Sequence, residues 1–261
     1  MTRVKICGLM SRSDIDMAVA AGADALGFVT EYPVAVPWNL TRHQAAGLVA
    51  GAPPFVTTTA VVGGAVRDMV AIALCVRPHF LQLHGDETIE DIQAVCQALT
   101  GTGIKVLKAL RINVDTGKAQ FSVPDPVEAC RILAQSGLAG LVVDSKTSSR
   151  PAGTGVALDW NSIRDVAATI RLPLILAGGL TVHNVAQAIA TVQPYAVDVI
   201  SGVERETGVK DGQLMHDFVK AAKAAGDYSG SQLPILQKDK DKRQRTPLKT
   251  QRHRGKPGAK Q

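Results

Sequence analysis

Eight short apolar or β-branched runs recur along the chain, each followed by a stretch of helical spacing, and no other feature restricts the fold as tightly. The runs are Val4–Ile6, Ala25–Val29, Val56–Val62, Phe80–Leu83, Lys105–Leu110, Gly140–Val143, Leu172–Leu176 and Ala196–Val199. Helical spacing follows over Asp14–Ala21, Thr41–Ala50, Ala65–Cys75, Ile89–Leu99, Pro126–Gln135, Asn161–Thr169, Asn184–Val192 and Gln213–Ala224. Such alternation marks βα units, whose strands pair in parallel and are covered by their helices. Eight units predict an α/β protein with a closed (β/α)8 TIM barrel, and residues 1–226 suit the short end of that fold's range. An open doubly wound sheet is the rival. The first βα turn, Cys7-Gly8-Leu9-Met10-Ser11, lacks the GxGxxG of a dinucleotide site and no acidic residue is placed for a ribose.

The net charge of +6 resembles a nucleic-acid signal until it is divided along the chain. Of the 29 Lys/Arg and 23 Asp/Glu, ten and three lie in residues 227–261, leaving 19 against 20 for residues 1–226. The expected organisation is therefore a catalytic barrel over 1–226 and a basic, disordered tail over 227–261, since that tail lacks the apolar residues that offset ordering entropy. Weak attraction to RNA or a membrane surface is the functional reading of the tail; a solvated extension is the favoured one. The body, 46% hydrophobic and 20% charged over the whole chain, holds enough apolar residues for one large core. No apolar run reaches the roughly 20 residues of a membrane span and no signal-peptide h-region precedes the first strand, so a soluble cytoplasmic protein is expected. Cys7, Cys75, Cys96 and Cys130 show neither CxxC spacing nor histidine pairing, which indicates neither a zinc site nor a disulfide framework. The oligomeric state is not legible, because a solvent-facing apolar patch on a barrel helix has the same spacing as core.

In a barrel, residues at the C-terminal strand ends form the active-site rim, and the last two loops often bind phosphate. Cys7, His84, Asp144, Gly178-Gly179, Asp198 and Ser201-Gly202 all fall there. Each alone has a structural explanation: an N-cap for an aspartate, a turn for Ser-Gly, packing for the cysteine. Together they predict an enzyme acting on a phosphorylated small molecule, with Cys7 and Asp144 as an acid/base pair. Glycine turns offer backbone N–H groups to a phosphate without a Cβ in the way. Cys7 acts as a base only as thiolate, which calls for nearby positive charge or oriented N–H groups. Lys5 shares its strand face and could supply that charge, or could equally pair an acidic residue inside the barrel.

From Arg3 to about Ala225 the chain resembles the phosphoribosylanthranilate isomerases of tryptophan biosynthesis. The resemblance rests on VKICG at 4–8, AGADALGF at 21–28, LQLHGDE at 81–87, LVVDS at 141–145, GTG at 153–155, DW at 159–160, LAGGL with Asn184 at 176–184, and DVISGVE with GVKD at 198–211. It implies that Cys7 is the general base and Asp144 the general acid of an Amadori rearrangement, with no cofactor and no metal. The backbone amides at Gly155, Gly178, Gly179, Ser201 and Gly202 are the expected phosphate cradle. Asp198 resembles the family's strand-eight carboxylate that faces the substrate, with capping of the next turn as its structural role. His84, at the end of the fourth run, either hydrogen-bonds the substrate or is a satisfied rim histidine.

The loop after the second strand departs from that family, which carries there a Ser-Pro-Arg-like element whose arginine meets the anthranilate carboxylate. Residues 30–40 read TEYPVAVPWNL and hold no arginine, and the third strand ends Ala60-Val61-Val62-Gly63-Gly64 where the family tends to Phe-Val-Asn. Either Arg42 or Arg67 reaches in from a neighbouring loop, or the aglycone differs. The alternatives are thus a related phosphate-binding barrel acting on another sugar phosphate or N-ribosyl amine, and a noncatalytic barrel whose basic tail binds RNA or a partner.

Overall fold

The computed structural model describes residues 1–146 and 158–227. Met1–Ser231 forms one compact unit. The tail expected from Asp227 onward lies, beyond the last residue of the final helix, outside the described residues.

Eight parallel strands close in sequence order, β1 (Arg3–Ile6), β2 (Ala25–Val29), β3 (Thr57–Val62), β4 (Phe80–Leu83), β5 (Lys105–Asn113), β6 (Gly140–Lys146), β7 (Leu174–Leu176) and β8 (Ala196–Val199). The seam is made by β8 pairing with β1, from Arg3 opposite Ala196 to Ile6 opposite Val199. The helices are α1 (Arg12–Ala20), α2 (Arg42–Ala50), α3 (Val66–Val76), α4 (Ile89–Ala98), α5 (Pro126–Leu133), α6 (Trp160–Thr169), α7 (Val185–Val192) and α8 (Gly212–Asp227). Local chemistry starts several of them. Ser11 with Asp14, Thr41 with Gln44 and Thr88 with Asp91 make reciprocal capping boxes that satisfy otherwise orphaned N–H groups. No helix among the described residues is long and apolar enough to cross a membrane.

The two-residue strand period sorts side chains between two layers. Val4, Ile6, Leu141 and Val143 face outward into the main core between strands and helices. Leu107, Ala109, Val142, Ile175, Ala177 and Ala196 fill the lower barrel interior, while Lys5, Gln82 and Asp198 form a buried polar layer in the barrel. At residues outside that interior, Lys108 Nζ is buried 2.7 Å from Glu87 Oε2 and also bonds the Gly85 carbonyl, tying down the loop after β4.

β5 and β6 run three residues past their apolar runs, to Asn113 and Lys146. Their extra residues pair in register, Arg111 opposite Asp144, and both polar side chains find partners. A short antiparallel hairpin, β9 (Glu204–Glu206) and β10 (Val209–Lys210), follows β8. It is too short and too charged to register as an apolar run.

Candidate active site

A cavity opens at the C-terminal ends of the strands, lined by residues of five of them and of loops that follow strands. Its floor and sides hold Cys7, Gln82, His84, Asp144 and Asp198, its far end Gly178, Gly179, Ser201 and Gly202, and its apolar wall Tyr32, Val36, Trp38 and Val61. Cys7, His84, Asp144, Asp198 and the two glycine turns, chosen from sequence, are thereby brought to one space. Gly155 lies outside the described residues.

Cys7 follows β1 and is 5% exposed. Burial, the largest influence, pushes its thiol above the ordinary range; the Lys5 ammonium pulls it back, Asp198 pushes it up and Lys210 draws it down. Lys5 Nζ stands 2.6 Å from Asp198 Oδ2 and 3.0 Å from Gln82 Oε1. Burial alone would lower the Lys5 ammonium, but Asp198 and then Cys7 raise it, so it is firmly charged. Lys5 therefore does both things its position allowed: it pairs an internal carboxylate and faces the thiol. The second Asp198 oxygen, Oδ1, is buried without a hydrogen-bond partner among the described residues.

Asp144 accepts from the Ser145 N–H at Oδ1, 2.7 Å, and its Oδ2 lies 3.3 Å from His84 Nε2. That histidine contact has the length of a charge pair without the alignment of a hydrogen bond, and Nε2 is otherwise unpartnered among the described residues. On the other side of the ring, Nδ1 meets Gln82 Nε2 at 3.2 Å. Tyr32 donates from its hydroxyl to the His84 carbonyl at 3.0 Å and meets the His84 ring edge-on.

The two glycine turns are sterically required. Gly178 has φ +84°, and an added Cβ there would stand 2.5 Å from the Ser145 nitrogen; one at Gly202 would collide with the Leu180 carbonyl. Backbone without side chains thus borders the cavity at both places.

The two arginines proposed for the substrate are not among the residues that line the cavity. Arg42 is folded against Glu31, with Nη2 2.6 Å from Oε2 and Nε 2.9 Å from Oε1, and that pairing holds the Glu31 carboxyl below its usual range. Arg67 leaves 91% of its side chain in solvent beside Asp68. Arg42 is the first residue of α2 and Arg67 the second of α3, and neither belongs to the strand ends and loops that line the cavity. Sequence reasoning missed Arg111, a buried arginine beside Asp144 in register, whose guanidinium bonds Asp86 in the loop after β4. It acts electrostatically on Tyr32 of the cavity wall. The unbroken Lys-Ala-Leu-Arg run was the available signal, lost because an arginine reads as the end of a strand.

The family model for N-(5'-phosphoribosyl)anthranilate isomerase matches residues 4–221. The chain belongs to this family. It is 41% identical over 226 residues to a protein of Haloferax volcanii named N-(5'-phosphoribosyl)anthranilate isomerase, covering 86% of this chain and 95% of that one. A Pseudomonas paraeruginosa protein of the same name is 39% identical over 225 residues, 86% and 96% of the two chains. Among solved structures, phosphoribosyl anthranilate isomerase from Thermotoga maritima superposes with a TM-score of 0.71 at 32% identity, over 86% of this chain and 100% of that one. A phosphoribosyl anthranilate isomerase in complex with reduced 1-(o-carboxyphenylamino)-1-deoxyribulose 5-phosphate superposes at 0.67 with 30% identity and the same coverage. The chain is an isomerase of tryptophan biosynthesis built on the TIM barrel.

Proposed function

We propose that the chain carries out its family's Amadori rearrangement with Cys7 as base and Asp144 as acid. The observation that carries this assignment is that both line one cavity whose far end is bordered by the backbone of Gly178, Gly179, Ser201 and Gly202. Asp144 gives a proton to the ribose ring oxygen as the C1′–O bond breaks, leaving an iminium at C1′. The Cys7 thiolate then takes the C2′ proton, and the resulting enolamine shifts to the aminoketose. Asp144 ends as carboxylate and Cys7 as thiol, so one proton must return between them before the next turnover. Each transfer is a general acid or base step of the kind worth 10²–10⁴-fold.

The phosphate sits against the turns after β7 and β8, where backbone N–H groups approach closely. Asp198 Oδ1 and His84 Nε2, both buried and unpartnered among the described residues, face the sugar, the carboxylate accepting from its hydroxyl groups and the ring N–H donating to them. The aglycone ring lies on Tyr32, Val36, Trp38 and Val61. Arg111 is the guanidinium placed to meet its carboxylate, by exchanging the exposed Asp86 for it. We place the enzyme in the cytoplasm, acting on a phosphorylated small molecule.

The test is turnover of freshly generated N-(5'-phosphoribosyl)anthranilate, followed as loss of anthranilate-type fluorescence. The expected kcat/KM is ~10⁴ M⁻¹s⁻¹ or above. A folded protein that leaves this substrate unchanged overturns the proposal.

A further inference from the structure

Lys5 and Cys7 lie two residues apart, so the strand period turns both side chains into the barrel. They share space over Gly27 of β2. A Cβ added there would stand 2.6 Å from Cys7 Sγ and 3.0 Å from Lys5 Cε, so the missing side chain lets the lysine stem and the thiol lie together. The ammonium is then held from two sides, by Asp198 Oδ2 and Gln82 Oε1.

Donor and acceptor rules fix the direction of everything beyond Lys5. An ammonium only donates, so Gln82 must turn its carbonyl oxygen toward Lys5 and its NH2 toward His84. The NH2 only donates, so His84 Nδ1 must accept and the ring proton resides on Nε2. Nε2 in turn is the atom 3.3 Å from Asp144 Oδ2. A single polarity therefore runs from Lys5 through Gln82 and His84 to Asp144, while the same ammonium faces Cys7.

We propose that Lys5 is a positioning residue for both halves of the acid/base pair. Its charge favours the Cys7 thiolate, and through Gln82 it sets the His84 tautomer whose N–H meets the Asp144 carboxylate left after proton donation. Its inward charge is not merely the partner of Asp198. The inference rests on the acid/base reading above, yet its test does not need turnover.

The groups facing the thiol are Lys5 of the same strand, Asp198 of β8 and Lys210 of β10, with Gln82 and His84 of β4 next in line. Lys210 is itself occupied by the Ile200 carbonyl and Glu204. Lys5 acts on the sulfur more strongly than Lys210 does, and Asp198 acts against both. Removing the Lys5 charge therefore makes the thiolate harder to form, and removing the Asp198 charge makes it easier.

The experiment is the pH dependence of iodoacetamide alkylation of Cys7 in the substrate-free full chain, read by mass spectrometry of the peptide that carries it. Lys5→Met is expected to move the midpoint up by about one pH unit, a tenfold loss of thiolate at fixed pH. Asp198→Asn is expected to move it down, and Gln82→Met to leave it in place while lowering kcat at little cost in KM. Coincident midpoints for Lys5→Met and wild type, or shifts of the same sign for Lys5→Met and Asp198→Asn, overturn the proposal. Should Lys5→Met not fold, Lys5→Gln is read in its place with the same upward shift expected, and a midpoint coincident with wild type is the contrary result. Alkylation that shifts as expected in a chain without isomerase activity would refute the substrate and leave the Lys5 assignment standing.

Discussion

The indole Nε1 of Trp38 donates to Glu204 Oε1 at 2.7 Å, which ties the loop after β2 to the hairpin after β8 across 166 residues of sequence. The same oxygen receives Lys210 Nζ at 2.8 Å, in an ion pair that is 1% and 3% exposed. One carboxylate thus holds the aromatic wall of the cavity in place and neutralises a buried ammonium near Cys7.

Glu204→Ala leaves Lys210 buried without its counter-ion, a loss that typically costs 3–5 kcal/mol. The unfolding free energy from urea titration is expected to fall by about that amount. KM should rise more than kcat falls, because Trp38 loses its anchor while the reacting groups stay. An unchanged unfolding midpoint would remove the structural role assigned to this pair.

Arg111→Ala is expected to raise KM by one to two orders of magnitude, as a charge-assisted bidentate contact to a carboxylate is worth roughly 1.5–3 kcal/mol. Arg42→Ala and Arg67→Ala are expected to leave both kinetic constants near wild type, since Arg42 is paired to Glu31 and Arg67 stands in solvent beside Asp68. The reverse order of effects among the three variants would return the carboxylate contact to the outer arginines.

The direction of the Cys7 shift sets two pH dependences. Thiolate is the active form, and burial pushes the thiol up, so kcat/KM should climb through neutral pH toward the alkaline side. For stability, the folded chain holds this proton more tightly than the unfolded chain does. The contribution is fully present below the ordinary thiol range and is lost as pH rises through the raised folded value. Cys7→Ala should therefore flatten the alkaline decline of Tm, and a decline equally steep in both proteins would show that another group governs it.

Much of this architecture can be read from the chain because local and global signals agree. The eight apolar runs and the capping pairs Ser11–Asp14, Thr41–Gln44 and Thr88–Asp91 mark elements within windows of a few residues. Cys7, Asp144, Asp198 and the glycine turns are legible as strand ends, given a barrel. Gln82 is not, because it sits inside a run that reads as apolar, and the amide is explained by the Lys5 ammonium on one side and the His84 ring on the other. Arg111 ends an apolar run in the sequence yet continues a strand in the fold, satisfied by Asp86. The Trp38–Glu204–Lys210 tie joins residues so far apart that neither periodicity nor spacing carries a trace of it, while the strand period turned Lys5 inward without naming Asp198 as its partner.

Turnover of N-(5'-phosphoribosyl)anthranilate by wild type beside Cys7→Ala and Asp144→Asn, with binding of the reduced product analogue measured for all three, tests the assignment of base and acid most directly. Both variants are expected to bind the analogue within a few-fold of wild type while kcat falls by about 10² to 10⁴, as loss of one proton-transfer group implies. Either variant turning over at a rate close to wild type would contradict the account.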